Sequence, residues 1–140
     1  MREKIKNILV TGGAGFIGSN FVRMVLDEHN DCNIINLDKL TYAGNLENLA
    51  DHIDNEQHNF VKGCICDVET VEKVIDEYDI DAIVNFAAES HVDRSLVDPG
   101  VFIDTNITGT LTLLKAGLDK GIKKFLQVST DEVYGSLGPS

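Results

Sequence analysis

Asp131 and Glu132 stand side by side in Ser129-Thr130-Asp131-Glu132-Val133-Tyr134-Gly135. Two carboxyl groups in one pocket repel each other's ionisation, so one can keep its proton near neutral pH while the other stays charged. That supplies a general acid and a general base together, the equipment of an elimination. Neighbours in a regular strand face opposite ways, so this use of the pair requires an irregular turn, with Thr130 beside it. Solvated loop acids are the other reading in a chain that carries 23 Asp and Glu.

A second group of residues lies at the other end. Thr11-Gly12-Gly13-Ala14-Gly15-Phe16-Ile17-Gly18 contains Gly13-x-Gly15-x-x-Gly18 between an apolar run and an amphipathic one. In that context the glycines permit a tight turn, a close approach of backbone to a pyrophosphate, and contact between helix and strand. The helix N-terminus faces the negative charge. Asp38, twenty residues past Gly18, is placed to hydrogen-bond a ribose diol, and its charge repels a 2′-phosphate, favouring NAD over NADP. Lys39 beside it is the one opposing charge. Asp67-Val68 is a candidate to meet the adenine, with Asp67 as a helix N-cap the other reading. Phe86-Ala87-Ala88-Glu89-Ser90 follows an apolar run, and its small residues let a cofactor lie close to the backbone. Thr105 alone carries no signal.

Strands and helices must alternate to bring these residues together. Strands are expected at 7–10, 33–37, 60–64, 82–86 and 124–128. Helices are expected at 16–29, with Phe16, Ile17, Phe21, Met24 and Val25 near one face, at 46–50, and at 69–77 with Val71, Val74 and Ile75 inward. A long helix over 99–120 carries Val101, Ile103, Ile107, Leu111, Leu114 and Leu118 and ends at Gly121. This order predicts an α/β fold, a doubly wound parallel sheet of the dinucleotide-binding type with helices on both faces. Residues 1–140 then form one NAD-binding domain, and Gly138-Pro139-Ser140 reads as a loop.

With 43% hydrophobic residues the 140-residue chain can build one sizeable core. Its formal charge of −11 argues against nucleic acid as a partner, because phosphates demand a basic face. Met1-Arg2-Glu3-Lys4-Ile5-Lys6 is basic, but the apolar run after it breaks at Gly12-Gly13, so no secretory signal or membrane span is expected. Cys32, Cys64 and Cys66 have no framework spacing and are expected as reduced thiols in the cytoplasm, packed in strand cores. No metal site is expected. His29, His52 and His58 are assigned no role. His91 and Arg94 fit a helix cap or a surface pair as well as a phosphate contact.

Four segments carry a resemblance to a family: the glycine-rich opening, with the Thr11-Gly12-x-x-Gly15-x-x-Gly18 spacing of the short-chain dehydrogenases/reductases; Asp38-Lys39-Leu40-Thr41-Tyr42-Ala43-Gly44-Asn45; Ala87-Ala88-Glu89-Ser90-His91-Val92-Asp93-Arg94-Ser95; and Ser129 to Gly135. In this order they resemble the N-terminal portion of the dTDP-glucose 4,6-dehydratases, extended members of that superfamily. The resemblance implies an NAD site formed by Gly12, Gly15, Phe16, Ile17, Gly18, Asp38, Lys39, Leu40, Thr41, Asp67, Val68, Phe86, Ala87, Ala88, Glu89, Ser90 and Thr105. Ser90 and Thr130 touch the sugar nucleotide in that reading, Asp131 is the proton donor and Glu132 the proton acceptor. The implied reaction converts dTDP-glucose to dTDP-4-keto-6-deoxyglucose and water. C4 is oxidised, water is eliminated across C5 and C6, and hydride returns to C6. The family also implies a homodimer through helices flanking the sheet, with the 99–120 helix as one half and its partner helix expected beyond Ser140.

The family's Tyr-x-x-x-Lys pair is missing, because Tyr134 is followed four positions later by Gly138. Tyr134 is therefore expected to pack at its loop, and Tyr42 to pack in the NAD-side loop. The chain is expected to be an N-terminal piece that lacks the substrate-binding region and is inactive alone. The alternatives are another nucleotide-sugar dehydratase, a 4-epimerase, which has no use for Asp131-Glu132, and a non-catalytic NAD-binding module.

Overall fold

The computed structural model describes residues 4–136 and 138. The first three residues of the basic N-terminus, together with Leu137, Pro139 and Ser140, lie outside them. Five strands, β1 (Asn7–Thr11), β2 (Asn33–Asp38), β3 (His58–Lys62), β4 (Ala82–Asn85) and β5 (Lys124–Gln127), form one parallel sheet in the order β3-β2-β1-β4-β5. The chain winds outward from β1 to β3, returns to β4 on the other side of β1, and so leaves a switch point between β1 and β4. Open sheets of this kind place ligands at that point, beyond the carboxyl ends of the strands.

Apolar residues cover both faces, as an all-parallel sheet requires. Leu9, Ile35, Leu37 and Ile83 point to one side and pack with Val71, Val74 and Ile75 of α2 (Val68–Glu77) and with Leu113 and Ala116 of α5 (Thr110–Asp119). Val10 and Ile34 point to the other side, against Val22, Val25 and Leu26 of α1 (Phe16–Glu28) and Leu49 of the 3-10 helix Leu46–His52. Burying each such side chain contributes about 1.5–3 kcal/mol.

Four features depart from the sequence reading. In α1 the buried stripe is Gly18, Ser19, Val22, Val25 and Leu26, while Phe16 is 83% exposed and Ile17 and Met24 also face outward. The helix lies too close to the glycine loop for larger residues. A Cβ on Gly18 would sit 2.2 Å from the Gly12 carbonyl oxygen.

The long helix is three pieces, α4 (Pro99–Phe102), a π-helix (Ile103–Gly109) and α5. It buries Gly109, Thr112, Leu113, Ala116 and Gly117, and turns Ile103, Ile107, Leu111, Leu114 and Leu118 outward. A Cβ on Gly109 would collide with Ile65. Third, a short helix, α3 (Val92–Val97), follows the β4 loop with none of its residues buried, and no apolar period announces it. Fourth, β3 ends at Lys62, so Cys64 and Cys66 occupy the loop after the strand and are only partly buried.

Candidate dinucleotide and carboxylate site

The turn after β1 is built on Gly12, whose φ of 69° lies in the left-handed region that favours glycine. A Cβ there would also lie 2.7 Å from the Ala87 backbone nitrogen, so β1 and the β4 loop approach each other only because residue 12 has none. The Gly12 N–H donates to the Leu37 carbonyl at 3.0 Å, and Gly15 donates to the Gly12 carbonyl at 3.1 Å. Gly15 is the N-cap of α1 and offers no capping side chain. The first-turn N–H groups that lack an intrahelical partner therefore stay available to an anion.

Beside this turn runs a groove that is partly open to solvent. Asp38, at the end of β2, lines it and is nearly buried. Its Oδ2 accepts from the Ala14 N–H at 3.0 Å and its Oδ1 from the Leu40 N–H at 2.8 Å. A carboxylate has about four lone-pair positions, so two remain for a ligand's hydroxyls. The second bond helps hold Leu40 at a φ of 55°, a conformation that costs a non-glycine residue about 1–3 kcal/mol. Asn45 and Asn48 tie the same loop back, donating to the Ala14 carbonyl at 3.0 and 2.9 Å.

The opposite wall follows β4. Buried Asn85 accepts from the Thr11 hydroxyl and the Ala87 N–H and donates to Gln127 Oε1 at 2.8 Å, fastening β1, β4 and β5 at their carboxyl ends. Asn106, in the π-helix, grips residue 89 from outside. Its Oδ1 accepts from the Glu89 N–H and its Nδ2 donates to the Glu89 carbonyl, both at 2.9 Å. Thr105, next to it, reaches the groove, in a type of helix that recurs at functional sites. Cys64 also lines the groove, and Cys66 donates to the Asp104 carbonyl at 3.0 Å. Burial, assisted by Cys64, pushes the Cys66 thiol up to about 11, so it stays protonated at neutral pH.

Of the expected cofactor residues, Gly12, Gly15, Asp38, Lys39, Thr41, Phe86, Ala87, Ala88, Glu89 and Thr105 line this one groove. Phe16, Ile17, Gly18, Leu40, Asp67, Val68 and Ser90 are not on its wall. Asp67 caps α2, accepting from the N–H groups of Glu69 and Thr70 and from the Thr70 hydroxyl. The Thr70 hydroxyl is the main cause holding its carboxyl below the usual range. The sequence reading did not assign Leu37, Ala43, Gly44, Gly63, Cys64 and Ile65 to the wall and missed the clamp of Asn106; Ala43 and Gly44 follow the expected Asp38–Thr41 run, and the others belong to no spaced motif.

Asp131 and Glu132 occupy a 3-10 turn, Asp131–Tyr134, just beyond β5. The Thr130 hydroxyl caps that turn, accepting from the Glu132 N–H at 3.2 Å. β5 pairs with β4, and Val128 donates to the Asn85 carbonyl at 3.1 Å. The two carboxylates thus leave the sheet at the same end as the groove, exposed and not on its wall. Tyr134 does not pack at the loop and is 88% exposed. Tyr42 is also half-exposed, against Arg94 and His91.

The family model of GDP-mannose 4,6 dehydratase matches residues 9–140. The chain belongs to that dehydratase family. The chain is 56% identical over 131 residues to the low-salt glycan biosynthesis protein Agl12 of Haloferax volcanii, covering 94% of this chain and 41% of that one. It is 52% identical over 139 residues to a dTDP-glucose 4,6-dehydratase of Xanthomonas campestris, covering 93% of this chain and 39% of that enzyme. The crystal structure of dTDP-glucose 4,6-dehydratase from Bacillus anthracis in complex with NAD superposes with a TM-score of 0.86 at 52% identity, over 96% of this chain and 41% of that one. The chain thus spans about 40% of the length of these relatives. Among the described residues no helix is long and apolar enough to cross a membrane.

Proposed function

We propose that this chain is the NAD-binding part of a dTDP-glucose 4,6-dehydratase, which forms dTDP-4-keto-6-deoxyglucose and water. The observation that carries the reading is one groove lined by Gly12, Gly15 and the Asp38 carboxylate, with an acid pair leaving the adjacent strand at the same sheet end. Relatives of about half-identical sequence with that printed activity support the substrate class.

The residues fit the cofactor. The missing Cβ of Gly12 leaves room at the turn, the uncapped start of α1 suits a pyrophosphate, and Asp38 has acceptors left for a ribose diol. When bound, NAD supplies the oxidation at C4 and the returning hydride at C6. The protein's own part is proton handling. Glu132 takes the C5 proton, which a ketone at C4 makes acidic, and Asp131 protonates the departing C6 hydroxyl so that it leaves as water. Ser90 and Thr130 position the sugar. An epimerase has no leaving group for Asp131 to protonate.

No Tyr-x-x-x-Lys pair occurs in these 140 residues, so the chain by itself is expected to show no turnover. We also place the protein in the cytoplasm, in keeping with three free cysteines, and as a homodimer. The deciding experiment reads the source gene beyond codon 140 and assays its product with dTDP-glucose. An open frame carrying Tyr-x-x-x-Lys whose product forms the 4-keto sugar supports the reading. A stop codon at that point, or a full-length product without turnover, sinks it.

A further inference from the structure

We propose that Tyr42 and Arg94 form a strap across the mouth of the groove that slows release of the bound cofactor. The inference rests on the function proposed above, in which the same NAD must accept hydride and give it back. Tyr42 lies between Thr41 and Ala43, two residues of the wall that follows β2. Arg94 belongs to α3, five residues past Glu89 on the wall that follows β4.

These walls do not touch through the sheet, since β1 separates β2 from β4. Side chains join them. The Arg94 guanidinium carbon sits 4.0 Å from the centre of the Tyr42 ring. The His91 ring meets the same tyrosine edge-on, 6.4 Å between centres and 79° between planes. The Tyr42 hydroxyl lies 3.4 Å from Glu89 Oε2. Arg94 makes no ion pair among the described residues, which leaves its cation for the ring face, a contact that arginine's planar group suits.

Nothing buried in α3 accounts for this arrangement. From the base of each wall the chain is fixed, by Asp38 and Asn45 on one side and Asn85 and Asn106 on the other. The tyrosine-arginine stack, with the Tyr42–Glu89 contact, is what joins the two walls through side chains. A ligand bound beneath it leaves when the stack opens.

The test uses the protein expressed from its own gene, with whatever sequence follows Ser140, loaded with NAD. Release is timed with an added enzyme that consumes free NAD. Arg94→Ala and Tyr42→Ala are each expected to release NAD about 3–10 times faster, the range of an exposed to partly desolvated stack. The double variant should be no faster than the quicker single one, and Tyr42→Phe, which keeps the ring, should stay near the parent rate. Arg94 is exposed, so its substitution leaves the thermal midpoint in place and decides the matter even if Tyr42→Ala fails to fold. A parent that holds NAD while Arg94→Ala releases it at the parent rate overturns the strap alone. A parent that holds no NAD overturns the strap and the functional reading together.

Discussion

Gly12 is the residue on which the site's geometry turns. Replacing it with alanine puts a methyl 2.7 Å from the Ala87 backbone nitrogen and forces a φ of 69° on a residue with a Cβ. The strain alone costs about 1–3 kcal/mol. Because the clash is with backbone, the β4 loop must also move. Gly12→Ala is expected to lower the urea midpoint and to abolish NAD binding in calorimetry, whereas retained binding at the parent affinity would show that the groove is not the site. His58 gives a pH test at the same scale. Burial is the main cause holding its imidazole below 6.5, opposed by the His52 carbonyl 3.1 Å from Nδ1. As pH falls through 6.5 the unfolded chain takes a proton that the folded chain resists. This contribution is therefore whole above that pH and is lost as pH falls from 6.5 towards the folded value. Urea midpoints at pH 7.5 and 5.5 should drop further in the parent than in His58→Gln. At this scale the sequence was legible wherever a residue type carries its own signal, as Gly12, Gly15 and Asp38 do. Asn85, Asn106 and Cys64 were not, since an amide or thiol placed by tertiary contact leaves no spacing to read.

The elements show the same division between period and face. A helix over 99–120 was readable from its apolar spacing, and the parallel sheet from the alternation of segments. Which side each helix buries was not, because packing against Gly12 in one case and Ile65 in the other selected Gly18 and Gly109 over the larger residues. The π-helix Ile103–Gly109 was equally hidden, and it has a consequence for function. It presents Thr105 to the groove and Asn106 to Glu89, so one element sets the position of the β4 wall. Asn106→Ala removes two hydrogen bonds of ordinary strength, about 1 kcal/mol each. NAD affinity is expected to fall on the order of tenfold, with an added loss of thermal stability. Asn106→Asp should do no better, because its second oxygen would face the Glu89 carbonyl where an N–H group donates. An unchanged affinity in both variants would separate the β4 wall from cofactor binding.

For the whole molecule, the unexplained surface is the outer face of the divided helix. Ile103, Ile107, Leu111, Leu114 and Leu118 recur every three or four residues, and Leu118 is 79% exposed. Scattered exposed leucines need no explanation, but a continuous apolar stripe marks a contact surface. The small residues of the helix face the sheet side, and we propose that its large face meets a second copy. In the proposed homodimer a second copy is opposed, and two such stripes bury each other. Lysines at Leu111 and Leu118 would place four charges in that contact per dimer, none with a built partner, and each buried unpaired charge costs several kcal/mol. In sedimentation velocity the Leu111→Lys, Leu118→Lys protein is expected as a monomer at concentrations where the parent is a dimer. Its NAD affinity should be unchanged, because the groove lies at the sheet's carboxyl end and includes neither leucine. A double variant that stays dimeric would move the dimer contact elsewhere.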